Sequence, residues 1–132
     1  MNLKGVMIAK NKEDIAIFIQ ARMSSSRLPG KVLMQINNIP IIELIIKRLK
    51  VLSLPIYVLT SNKKTDDQLS IHCSRINGCK VFRGELEDVR NRFIAAIEKT
   101  GCKYFIRVTG DNPFTSISLI NSMINYLKKV DF

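Results

Sequence analysis

Apolar and polar residues fall into blocks whose period changes along the chain. Ile15 to Gln20 is an unbroken apolar run closed by one polar residue, the pattern of a strand buried on both faces. Ile56 to Thr60 and Tyr104 to Val108 read likewise, and Lys80 to Phe82 is a weaker strand between them. Elsewhere the period is helical. Pro40 stands at a first helical position, and Ile41, Ile42, Ile45, Ile46 and Leu49 form a stripe opposite Glu43, Lys47, Arg48 and Lys50. Thr65 followed by Gln68 has the form of a capping box, opening a helix that runs to about Ile76 before Asn77-Gly78. A third helix spans Leu86 to Lys99, burying Val89, Phe93, Ala96 and Ile97 and stopping at Gly101. Ser116 caps a fourth, carrying Ile117, Ile120, Ile124 and Leu127. Alternation of strand and helix predicts βαβ units and a parallel sheet.

With 132 residues, the chain has room for one domain or part of one. We read residues 1–14 as a polar N-terminal extension and 15–132 as the domain. An apolar fraction of 46% supplies a core and argues against disorder or a coiled coil. Cys73, Cys79 and Cys102 lack the spacing of a zinc site or a disulfide framework, so they read as buried free thiols in a reducing cytoplasm. Lys10, Lys12, Glu13 and Asp14 break the first apolar stretch, so no signal peptide or spanning helix fits and no membrane partner is expected.

The chain carries 21 Lys and Arg against 11 Asp and Glu, a formal charge of +10 that points to an anionic partner. Where the charges sit decides which. In parallel sheets ligands bind beyond the carboxyl ends of the strands, and two such segments carry chemistry. The first strand runs into a loop with Arg22, Ser24, Ser25, Ser26, Arg27, Gly30 and Lys31. Serine donors with three cations suit a polyphosphate, although the same composition also suits a solvated basic turn. Neither a Walker A pattern nor G-x-G-x-x-G is present. The last strand runs into Gly110-Asp111-Asn112-Pro113. Asp111 there either holds magnesium against a phosphate or caps its own turn. Together the two loops point to one ligand, a magnesium-bound nucleoside triphosphate.

The stretch Ile19-Gln20-Ala21-Arg22-Met23-Ser24-Ser25-Ser26-Arg27-Leu28-Pro29-Gly30-Lys31-Val32-Leu33 resembles the signature of the cytidylyltransferases of surface-polysaccharide synthesis. The spore-coat polysaccharide branch, related to acylneuraminate and deoxy-octulosonate cytidylyltransferases, is the nearest match. Phe82-Arg83-Gly84, Glu87-Asp88-Val89 with Arg92, and Arg107-Val108-Thr109-Gly110-Asp111-Asn112-Pro113 follow in the family's order. The resemblance implies a three-layer α/β/α Rossmann-like fold of the nucleotide-diphospho-sugar transferase type. It also implies attack of a sugar or sugar-acid oxygen on the α-phosphorus of CTP, with pyrophosphate leaving. Arg22 and Lys31 would hold the triphosphate and stabilise its developing charge, with Arg27 assisting. Asp111 would ligate Mg2+. Ser24, Ser25 and Ser26 would supply donors, and Ala21, Gly30 and Gly110 would lie against the nucleotide. The segment with Arg83, Asp88 and Arg92 would lie near base and ribose.

Thr60-Ser61-Asn62 departs from relatives that carry an acidic residue there. Family members also run well beyond residue 132, so this chain reads as a truncated fold. The acceptor site, a further metal-binding aspartate and much of a homodimer contact are expected in the additional length. Two other readings stand beside this one. A homologue without catalysis would keep Lys31 and Asp111; a basic nucleic-acid module would want aromatics among its cations, and aromatics are only 7% with no Trp. His72 reads as structural, and Asp66 and Asp67 as acidic residues at a helix start.

Overall fold

The computed structural model describes residues 14–130. In chain order its elements are β1 (Ile15–Gln20), β2 (Gln35–Ile36), β3 (Ile39–Pro40), α1 (Ile41–Leu49), β4 (Ile56–Ser61), α2 (Asp67–Ser74), β5 (Cys79–Gly84), α3 (Val89–Thr100), β6 (Tyr104–Thr109) and α4 (Ile117–Leu127). The N-terminal extension, residues 1–13, lies outside the described residues. Asp14, the first described, accepts the Lys103 N–H and pairs with its ammonium.

β1, β4, β5 and β6 form one parallel sheet in the order β5-β4-β1-β6. β1 is central, which is why its run from Ile15 to Ile19 is continuous: all five side chains are buried. β5 was the faintest strand in sequence because it is an edge, and its residues beyond Cys79 are partly exposed.

Side chains leave the sheet alternately to its two faces. Ile15, Ile17 and Ile19 join Ile56 and Val58 in a core closed by Ile42, Ile45, Ile46 and Leu49 of α1, Leu69 and Cys73 of α2, and Ile120 and Ile124 of α4. Ala16, Phe18 and Leu59 pack on the other face against Phe93 and Ala96 of α3. The Phe18 ring stacks on Phe105 at 5.1 Å and meets Phe93 and Tyr57 edge-on. The result is the expected three-layer α/β/α arrangement. After β5 the chain returns across the sheet to β6, and a right-handed crossover in that direction lays α3 on the face opposite α1 and α2. Strand order therefore reverses between β1 and β6, and a ligand crevice belongs at their carboxyl ends.

Three local expectations are corrected. Pro40 is not the first helical residue; it is extended at φ −56°, ψ 142° and pairs with Gln35 in the β2–β3 hairpin. That hairpin, absent from the sequence reading, turns at Asn37 and Asn38, which hold φ of 50° and 64° in the left-handed region asparagine tolerates. The capping box at Thr65 and Gln68 does not form; a short 3-10 turn over Lys64–Asp66 precedes α2, and no side chain caps either. α3 begins at Val89, three residues later than expected, because the Asp88 carboxylate accepts the Asn91 N–H and sets its start. The Ser116 cap is as expected, its hydroxyl accepting the Leu119 N–H.

Candidate functional site

At the reversal point the backbones of β1 and β6 separate after a last contact, Gly110 N–H donating to the Gln20 carbonyl at 2.8 Å. A Cβ on Gly110 would stand 2.7 Å from the Ala21 Cβ and 3.1 Å from the Gln20 oxygen, so only glycine permits this approach. From Ala21 the chain leaves the sheet and loops back. Gly30, at φ 74°, donates its N–H to the Met23 carbonyl at 2.8 Å and closes the loop, which delivers Lys31 over the crevice.

The cavity so formed, about 230 Å3, is lined by Gln20, Ala21, Arg22, Ser24, Ser25, Lys31, Val32, Arg107, Thr109, Gly110 and Asp111. Three cations face one carboxylate. Lys31 Nζ stands 3.5 Å from Asp111 Oδ2, both side chains being nearly half exposed. An ion pair that open to water contributes little stability and exchanges readily for a ligand. The Ser24 hydroxyl is shielded from solvent and has no hydrogen-bond partner among the described residues. Buried hydroxyls are ordinarily satisfied, so this one is free to serve a ligand acceptor.

The structure thus brings together seven of the sequence-selected residues: Ala21, Arg22, Ser24, Ser25, Lys31, Gly110 and Asp111. Ser26 and Arg27 are exposed and do not line the cavity, and Gly30 shapes the loop from outside it. Asp88 is taken up by its cap and by the Asn91 side chain. Arg92 is 1% exposed beneath Gly84, with one guanidinium N–H donated to the Glu85 carbonyl at 2.9 Å. Burial pushes its pKa down; Asp66 counters that shift and Arg22 adds to it.

Arg107 and Gln20 were missed as site residues. Arg107 stands opposite Phe18 and Gln20 opposite Thr109, so both share the α3 side of the sheet, and the Arg107 guanidinium donates twice to Gln20 Oε1, at 2.6 and 3.1 Å. The alternation of β6, with Arg107 and Thr109 on one face, was the available signal. Asp66 stands at the start of α2 as expected, but its side chain makes no cap. It is fully buried: Oδ1 accepts the Met23 N–H at 2.7 Å, and Oδ2 accepts the Ser61 hydroxyl. Asp67 stays in the first turn of α2 and pairs with Arg83 at 2.7 Å.

His72 pairs with Glu43 of α1 at 3.1 Å, a structural link away from the cavity. All three cysteines are free and buried, and burial pushes the Cys73 thiol up to about 12 and Cys79 to about 11. Neither is a nucleophile at neutral pH. Among the described residues no cluster of three or more His, Cys, Asp or Glu side chains could cage a metal, and no helix is long and apolar enough to cross a membrane.

Comparison with known proteins gives a consistent picture. The family model described as cytidylyltransferase matches residues 16–132. The spore coat polysaccharide biosynthesis protein SpsF of Bacillus subtilis is 40% identical over 117 residues, covering 84% of this chain and 48% of that protein. The 3-deoxy-manno-octulosonate cytidylyltransferase of Rickettsia akari is 28% identical, covering 91% and 50%. A solved cytidylyltransferase from Leptospira borgpetersenii superposes with a TM-score of 0.79 at 31% identity, covering 86% of this chain and 48% of that one. The chain spans about half the length of the curated relatives it matches.

Proposed function

Because the chain belongs to the cytidylyltransferase family, we propose that its strand-end cavity binds the triphosphate of CTP with Mg2+, and that the complete enzyme transfers CMP to a sugar or sugar acid for cell-surface polysaccharide synthesis. The observation that carries this reading is the meeting of Lys31 and Asp111 at 3.5 Å over one basic cavity. A lone cation cluster would suit any anion. A cation and a carboxylate that exchange partners easily suit a metal-bound phosphate, the carboxylate turning to the metal and the ammonium to phosphate oxygen.

Each residue then has a part. Arg22 and Lys31 hold the phosphate oxygens and offset the charge that develops as the acceptor oxygen bonds to the α-phosphorus and pyrophosphate departs. Ser24 and Ser25 donate from the loop, while Ala21 and Gly110 keep the floor close to the backbone. Asp111 is the protein's ligand for magnesium, which, when bound, draws charge from the phosphates. One carboxylate with phosphate and water oxygens completing the shell is a common magnesium arrangement, so the donor set fits. The buried free thiols accord with a cytoplasmic site of action. Because the chain covers about half of its relatives' length, we assign nucleotide binding to these residues. Acceptor binding, dimer contacts and turnover belong to the complete enzyme.

A thermal-shift series with CTP, ATP, GTP and UTP, with and without magnesium, tests the reading. CTP with magnesium at a hundredfold excess over Kd should stabilise the chain by about 2.7 kcal/mol. Lys31→Ala and Asp111→Ala should each lose about 1.5–3 kcal/mol of binding, roughly 10–100-fold in Kd, whereas Arg27→Ala, outside the cavity, should keep most of the affinity. No shift with any nucleotide, combined with salt-sensitive binding to DNA, would replace this reading with a nucleic-acid module.

A further inference from the structure

We propose that Asp66 is a positioning residue for the loop that carries Arg22 and Lys31. The inference deepens the nucleotide reading above and rests on it for the loop's purpose. Asp66 lies 43 residues from Met23 in sequence, between β4 and α2, yet its carboxylate is buried under that loop. A buried carboxylate is costly unless hydrogen-bonded and offset by opposite charge. Both conditions are met: Asp66 accepts from the Met23 N–H and the Ser61 hydroxyl, and buried Arg92 lies within its field. Ser61 Oγ in turn accepts the Lys63 N–H at 3.2 Å, which ties the carboxylate to the end of β4.

What this carboxylate holds is the pivot of the loop. The Ala21 N–H still belongs to the sheet, donating to the Leu59 carbonyl at 3.1 Å, and two residues later Asp66 takes over from the ladder. The Met23 N–H belongs to the peptide that follows Arg22, so fixing it fixes the backbone from which Arg22 projects. The Met23 carbonyl accepts the Gly30 N–H, and Lys31 is the next residue. One carboxylate thus anchors both phosphate-facing cations through a single residue, Met23, although neither touches it. Arg22 acts on buried Arg92 as a like charge and Asp66 as an opposite one, which makes the negative charge of Asp66 useful as well as its hydrogen bonds.

Amide hydrogen exchange on the full chain without nucleotide, followed by affinity for CTP with magnesium, tests the proposal. In the wild type the Met23 and Gly30 amides should exchange as slowly as those of β1 and far more slowly than Ser26 or Arg27; loop-like exchange at Met23 overturns the proposal whether or not any variant folds. In Asp66→Ala both amides should exchange at least about tenfold faster with β1 and β4 unchanged, and Kd should rise by about tenfold. Asp66→Asn keeps an oxygen for the Met23 N–H and should restore most of the protection and part of the affinity. An Asn variant no better than Ala, or affinity lost only in step with global stability, overturns it. A wild-type chain that keeps slow Met23 exchange and binds no nucleotide would instead remove the functional reading and leave the anchoring intact.

Discussion

Gly110 shows how much a single residue can decide at this site. Its missing side chain lets β6 end against β1, with the Gly110 N–H on the Gln20 carbonyl and Asp111 carried directly into the cavity. In Gly110→Ala the added methyl would meet two atoms that cannot yield cheaply, the Ala21 Cβ at 2.7 Å and the Gln20 carbonyl oxygen at 3.1 Å. We expect the strand ends to be pushed apart, with a loss of about 1–3 kcal/mol in urea unfolding and weaker nucleotide binding. An alanine variant as stable as wild type would show that the approach relaxes. Gly110 and Asp111 were legible in sequence because a strand-end Gly-Asp is a local pattern. That Arg27 points away was not, because its direction follows from Gly30 closing on Met23 and from Met23 being held by Asp66. The missed contact of Asp66 has the same origin: it stands at a helix start, as the sequence indicates, and only the fold sets its carboxylate beneath a loop 43 residues away.

Among the elements, the helix starts separate local from tertiary information. Ser116 caps α4 with its own hydroxyl, and Ser116→Ala should cost about 1 kcal/mol. Thr65, which with Gln68 has the form of a capping box in sequence, makes no cap, so Thr65→Ala should be near neutral by chemical denaturation. Equal costs for the two would contradict the observed starts. A cap motif states a local preference; here Asp66 is drawn into the core and the first turn tightens to 3-10. α1 and α2 are linked through Glu43, whose carboxyl is held below its ordinary range first by the hydrogen bond from Lys47, with His72 of α2 adding to it. A depressed carboxyl contributes stability above its ordinary value of 4.5 and loses it as pH falls through the lowered folded value. Glu43→Gln should therefore be less stable than wild type at pH 7 and converge with it in acid. Parallel stability curves down to pH 3 would show that Glu43 is not coupled to folding.

For the whole molecule, the contrast lies between its two sheet edges. β5 closes one edge with exposed Lys80 beside Arg83, charges that discourage pairing with another chain. β6 bounds the other, and among the described residues no strand pairs on its outer side. An apolar groove of about 630 Å3 runs beside it, lined by Tyr104, Phe105, Ile106, Met123, Tyr126 and Leu127. Phe105 is 39% exposed, Met123 52% and Tyr126 63%, so apolar side chains of β6 and α4 stand together in water along this edge. Arg22, Arg27 and Lys31 put three charges in the β1 loop, away from this groove, whose lining carries one cation, Lys103, so repulsion does little to protect this face. The 132-residue chain should therefore self-associate with rising concentration, with backbone pairing along β6 and apolar contact with α4 acting together. Met123→Glu with Tyr126→Lys should shift the weight-average mass in sedimentation equilibrium toward the monomer while leaving nucleotide binding intact, since both side chains are more than half exposed and neither lines the cavity. If association persists in that double variant and vanishes at high salt, charge pairing between the basic loop and acidic surface, and not the open edge, holds the copies together.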